Sequence, residues 1–239
     1  MNVAIIAAPR TRSSYFSDII ATNFNLDNKF ETYQDIQQGS WDSRVYNAKY
    51  KQGYIRKISI VTDFFLEQGN FVIKIFPSIL IFPNLKNVVR NLKPLRLECY
   101  DKIYFLTRKN IYEIILSQVA ARHFSSFLYP TKYKVNILKY QTEIKLTDSV
   151  KNEINYVLAS LELQKKLKEF LNNNNIQYIP LDYETIPDYV GKNFTEKNSQ
   201  YQKVEINYIK DILNAQEIID YIDSINPIII KKLYNIVFK

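Results

Sequence analysis

The chain alternates between continuous apolar runs and stretches where apolar side chains recur every three or four positions. "VAIIAAP" (3 to 9) is unbroken, the mark of a strand covered on both faces in a parallel sheet. A helix is predicted next. Ser13 or Ser14 can cap it, and Phe16, Ile19, Ile20 and Phe24 fall on one helical face. Residues 25 to 53, rich in Gln, Asn, Asp and Tyr, break the pattern and read as a long irregular excursion, which in a compact domain usually carries function. A helix over about 55 to 68 then aligns Ile58, Val61 and Phe65 and stops at Gly69. "FVIKIFP" follows as a second strand, "KIYFLTR" (102 to 108) as a third and "IQYIPLD" (176 to 182) as a fourth, with a helix over about 149 to 171 before the last. Further helices, capped near Asn214 and at "NP" (226 to 227), close the chain, and "NNNN" (172 to 175) reads as a turn. Strands alternating with helices predict an α/β fold with a central parallel sheet flanked by helices.

Length and composition narrow the picture. With 239 residues, 46% of them hydrophobic, the chain can bury a full core and is expected to form one domain, 1–239, in which 192–239 is a C-terminal helical closure. One cysteine excludes an intramolecular disulfide framework. The start lacks the charged-then-apolar order of a signal peptide, and Lys or Pro interrupts the longest apolar runs, so a soluble, cytoplasmic protein is expected. A net charge of +8 favours anionic partners. The lysines are nevertheless scattered rather than gathered into a stripe, so neither nucleic acid nor membrane is an expected partner.

"PRTRSS" (9 to 14) is where candidate chemistry concentrates. A loop leading from a strand into a helix points backbone N–H groups at one place, at the positive end of the helix dipole, and two arginines with hydroxyls add charge-assisted donors. The corner suits a phosphate or sulfate. GxxxxGK[ST] is absent, which counts against a nucleotide-dependent kinase on the same fold.

The loop resembles the 5'-phosphosulfate loop, P-[RK]-[ST]-G-[ST]-[ST], of the sulfotransferases that use 3'-phosphoadenosine-5'-phosphosulfate (PAPS), with Arg12 at the family's glycine. "IYFLTRKNIYEIILSQVAARHF" resembles the family's 3'-phosphate segment, where a strand ends in Arg and the next helix carries a Ser. Here these are Arg108 and Ser117, nine positions apart. Cytosolic members usually have eight, a spacing that Lys109 fits, so either cation remains a candidate. Asn110, Glu113 and Ser117 share a polar side of that helix, and Ile111, Ile115 and Val119 form its buried stripe. "FVIKIFP" resembles the strand that brings a lysine, Lys74, to the transferred group, and "IPLDYETI" the late strand ending at Tyr183 and Glu184. "KNFTEKNSQY", from 192, is placed at the family's C-terminal donor-binding loop.

The resemblance implies a P-loop-NTPase-like three-layer fold and a sulfotransferase that moves a sulfuryl group from PAPS to a hydroxyl acceptor, leaving adenosine 3',5'-bisphosphate, with no metal. Arg10, Thr11, Arg12, Ser13, Ser14, Arg108 and Ser117 would bind the donor, and Arg10 and Lys74 would act in catalysis. Lys74 has a second reading, an amine snorkelling to solvent from an apolar strand. The family's K-[TS]-H histidine is missing, since Ile75 and Phe76 follow Lys74. Other members of the family use a glutamate about twenty residues after the loop arginine, so the resemblance implies Glu31, twenty-one positions after Arg10, as the base, with Asp35 in reserve. His123, the one histidine, is expected at the surface near a helix end, and Tyr183 and Glu184 are expected to organise the sheet edge. Residues 25–53 are the expected acceptor-binding excursion; Trp41, Arg44, Lys49 and Lys51 suit a sugar ring with an acidic group, and a tyrosine peptide or a packed helix nearly as well, and a carbohydrate or small metabolite is the expected acceptor. A non-catalytic nucleotide- or nucleic-acid-binding module is the other alternative.

Overall fold

A computed structural model describes residues 1–29, 54–77, 92–123, 143–195, 210 and 212–225. Five strands, β1 (Asn2–Ala7), β2 (Asp27–Asn28), β3 (Phe71–Ile75), β4 (Lys102–Thr107) and β5 (Ile179–Asp182), make one sheet in the order β2-β3-β1-β4-β5, with every pairing parallel. The helices are α1 (Ser13–Phe24), α2 (Tyr54–Gln68), α3 (Ile111–His123), α4 (Asp148–Asn173) and α5 (Ile186–Asn193), followed by a helix over 215–225. The expected α/β class with a parallel sheet is therefore present.

The first strand is unbroken and apolar because helices cover both of its faces. Val3, Ile5 and Ala7 pack with Phe16, Ile19 and Ile20 of α1 and Ile186 and Val190 of α5. Ala4 and Ile6 turn the other way, onto Val61 and Phe65 of α2 and Leu163, Leu167 and Leu171 of α4. Burial of such side chains contributes about 1.5–3 kcal/mol each. α2 stops where the sequence places its end, at Gly69, whose φ of 66° suits a residue without a Cβ. α4 is capped by Thr147, whose hydroxyl accepts from the Val150 amide, and its amino-terminal half packs on α3 and the 212–225 segment rather than on the sheet.

Four expectations change. The excursion predicted from residue 25 begins with an edge strand, because Asp27 and Asn28 pair with Phe71 and Val72. Phe24 is partly exposed at the last turn of α1, where its ring meets Phe194 and the Lys102 ammonium instead of the core. α3 is buried beyond its predicted stripe, since Ile114, Leu116, Ala120 and Ala121 are covered along with Ile115 and Val119. α5 follows the fourth strand, where the sequence pattern predicts no helix before residue 192. Among the described residues, no helix is long and apolar enough to cross a membrane. Residues 30–53, including Glu31, Asp35, Trp41, Arg44, Lys49 and Lys51, lie outside the described residues, as do 196–209 and the "NP" pair.

Candidate active site

The β1–α1 loop is held in shape by its own residues. Thr11 is fully buried and its hydroxyl donates to the Ala8 carbonyl at 2.8 Å, so its proton is committed inside the loop. Arg10 and Arg12 have φ of 63° and 59°, left-handed backbone that favours glycine over any residue with a Cβ. Arg12 thus adopts a glycine-like conformation at the position where the resembled loop carries glycine. It stands at the N-cap of α1 without a side-chain cap bond, and the first helical bond runs from the Phe16 amide to its carbonyl.

Three other elements aim side chains at this loop. Lys74 of β3 points to the α1 side of the sheet, is buried, and donates from Nζ to Ser14 Oγ at 2.8 Å. The amine therefore runs inward, which excludes the snorkelling alternative. Arg10 Nε donates to Ser117 Oγ of α3 at 2.9 Å, bringing two of the expected donor-binding residues into direct contact. Arg108, at the end of β4, lies with Nη1 3.5 Å from the Arg10 carbonyl and Nη2 3.3 Å from Glu113 Oε2. Ser13, the first residue of α1, is buried beside them.

Arg108 and Lys109 point in different directions. Only 9% of the Arg108 side chain is exposed and it faces the loop, whereas Lys109 is 79% exposed and pairs with Asp182 at 3.5 Å. That carboxylate also accepts from the Thr107 hydroxyl, which does most to hold it below the usual carboxylate range; burial opposes this and Lys109 adds to it. His123 ends α3 and is exposed.

Two contributors escape sequence reasoning. Glu113, anticipated only as part of a polar helix side, is the ion-pair partner that orients Arg108. The ring of Tyr183, just past β5, lies beneath two guanidiniums, with its centroid 4.2 Å from Arg12 Cζ and 4.1 Å from Arg108 Cζ. The signal for the first was proximity in sequence across a strand-to-helix turn; the second was marked by "IPLDYETI", but only as an organiser of the sheet edge and not as a partner of the arginines. A phenol on the same side of the sheet, Tyr104, is unsuited to be a base, because burial, followed by its hydrogen bond with Tyr189, raises its pKa well above that of an ordinary tyrosine.

The guanidiniums of Arg10, Arg12 and Arg108 and the ammonium of Lys74 are thus gathered around the β1–α1 loop, at the amino end of α1. Such a concentration of fixed cations suits a multiply charged phosphate or sulfate ligand. No protein-family model matches the chain, and no curated protein matches it in sequence.

Proposed function

We propose that the protein is a PAPS-dependent sulfotransferase with a P-loop-like fold, acting on a hydroxyl of a carbohydrate or small metabolite. The observation that carries this reading is the meeting of Lys74 with Ser14 and of Arg10 with Ser117, because the residues required at both phosphate ends of the donor come together from four separate elements. The sheet order adds support. From β1 the chain proceeds to β2 and β3 on one side, and from β3 it crosses to β4 on the other, so loop 8–14 lies where the winding reverses, the usual ligand position in open parallel sheets.

The donor supplies an activated sulfuryl group, and the chain supplies fixed charge, position and a base. Arg10, the first amides of α1 and Ser13 or Ser14 would hold the 5'-phosphosulfate, with Lys74 set to neutralise charge on the leaving oxygens. Arg108 and Ser117 would hold the 3'-phosphate. Glu31, or Asp35 in its place, would take the acceptor's proton, since that step needs a carboxylate within hydrogen-bond reach.

Calorimetry with adenosine 3',5'-bisphosphate and adenosine 5'-phosphate tests the donor site, and labelled PAPS with glycan and phenol acceptors tests the reaction. Arg108→Ala should weaken the bisphosphate about tenfold or more and the monophosphate much less, since a charge-assisted hydrogen bond is worth about 1.5–3 kcal/mol. Equal weakening of the two ligands, or magnesium-dependent ATP turnover with no sulfate transfer, would overturn the proposal.

A further inference from the structure

Tyr183 is fixed by the ends of two strands. Its amide donates to the Thr107 carbonyl at 2.7 Å, and the neighbouring Asp182 carboxylate accepts from the Thr107 hydroxyl. The ring so placed reaches both Arg12, on the β1–α1 loop, and Arg108, on the end of β4. Two like charges brought this close repel each other, and the electron-rich face of a phenol ring opposes that repulsion. Arg108 has Glu113 as a second support. For Arg12 the ring is the one side-chain partner among the described residues.

We infer that Tyr183 is a positioning residue of the anion site, its ring holding the Arg12 and Arg108 guanidiniums in place before the ligand arrives. This rests on the proposed donor site but not on the identity of the donor. An arginine that is already ordered loses less side-chain freedom on binding, and the planar guanidinium is the cation suited to lie on a ring. The hydroxyl of Tyr183 takes no part in these contacts, so phenylalanine should serve in its place.

The full chain and its Tyr183→Leu and Tyr183→Phe variants would be titrated with adenosine 3',5'-bisphosphate and with inorganic pyrophosphate, with thermal unfolding as the check on folding. Tyr183→Leu should bind both probes roughly tenfold more weakly, a loss in proportion to two side chains that must be ordered anew. Tyr183→Phe should stay within about twofold of the wild type on the same scale. In turnover with PAPS, Tyr183→Leu should raise KM more than it lowers kcat, because a prepositioned cation contributes to ground-state binding and transition state alike. Wild-type affinity in Tyr183→Leu, or an equal loss in Tyr183→Phe, would overturn the assignment, as would a wild type that binds neither probe. Binding of pyrophosphate without the nucleotide would instead remove the sulfotransferase reading, and the contrast between Leu and Phe on pyrophosphate would still decide the role of the ring. If Tyr183→Leu does not fold, Arg12→Lys keeps the charge and loses the flat contact: weaker pyrophosphate binding supports the assignment, and unchanged binding overturns it.

Discussion

The two faces of the sheet are built from the same strands and do different work. On β3, Phe71, Ile73 and Ile75 face α2 and α4 in an unbroken apolar layer, while Val72 packs toward α1 and Lys74 directs a buried ammonium to the first turn of that helix. One position along the strand separates a side chain that only packs from one that reaches the site. The alternation of a pleated strand is therefore sufficient to set chemistry on one face and leave the other to stability.

Exchanging the roles of neighbouring positions tests this most severely. Ile73→Lys would bury an amine among Phe71, Ile75 and Phe105, at a cost of several kcal/mol against a total stability of about 5–15 kcal/mol. Soluble yield and urea unfolding should show the loss of most folded protein, and a stable variant would erase the distinction between the faces. Lys74→Met should do the opposite: stability within about 1 kcal/mol of the wild type, and turnover reduced about 10²- to 10³-fold, the usual cost of removing one positioned donor. A smaller effect is expected from acid. The pKa of Asp182 is lowered in the folded state, so its contribution is present above the unfolded value, about 4, and is lost as pH falls through the folded one. Thermal unfolding below about pH 4 should therefore decline more steeply in the wild type than in Asp182→Asn; identical acid limbs would show that the Thr107 bond contributes nothing. The smallest change is Gly69→Ala, before the amino end of β3, where the new methyl would find room but φ is positive. It should cost about 1 kcal/mol, seen as a fall of about 2–4 °C in Tm, with the KM for the proposed donor unaltered.

Much of the fold was legible in the sequence, because the elements that form it have a period. The unbroken β1, the face of α1 and the glycine stop of α2 each follow from side chains within the element. β2 was not legible, since two polar residues joined to β3 through their backbones leave no side-chain pattern. Nor was α5: Pro187 and Gly191 give "IPDYVGKN" the look of a loop, yet proline is tolerated in a first turn and the spacing of Ile186 and Val190 is enough to seat them under α1. At the site, Arg10 stands out at a strand-to-helix turn, whereas Lys74, Arg108 and Ser117 are named through the resemblance to the sulfotransferase motifs; their side chains converge on the β1–α1 loop. The ring beneath Arg12 and Arg108 was hidden, because it depends on β5 lying beside β4 in a register that sets Thr107 against Asp182, a pairing between parts of the chain far apart in sequence.

The order of the strands also has a history in time. β1 is the first strand of this sheet to be synthesised and its central one, yet its hydrogen-bonding neighbours are β3, at residues 71–75, and β4, at 102–107. At about 5–20 residues per second, roughly 3 to 13 seconds pass between the making of β1 and of its first neighbour. During that interval a strand that is fully buried at five of its six positions in the finished protein has no partner in its own sheet. Its pairings are all between distant parts of the chain, which makes folding slow and leaves an apolar segment open to association with other chains. The cover that follows β1 directly in the chain is α1, whose Phe16, Ile19 and Ile20 pack on Val3, Ile5 and Ala7.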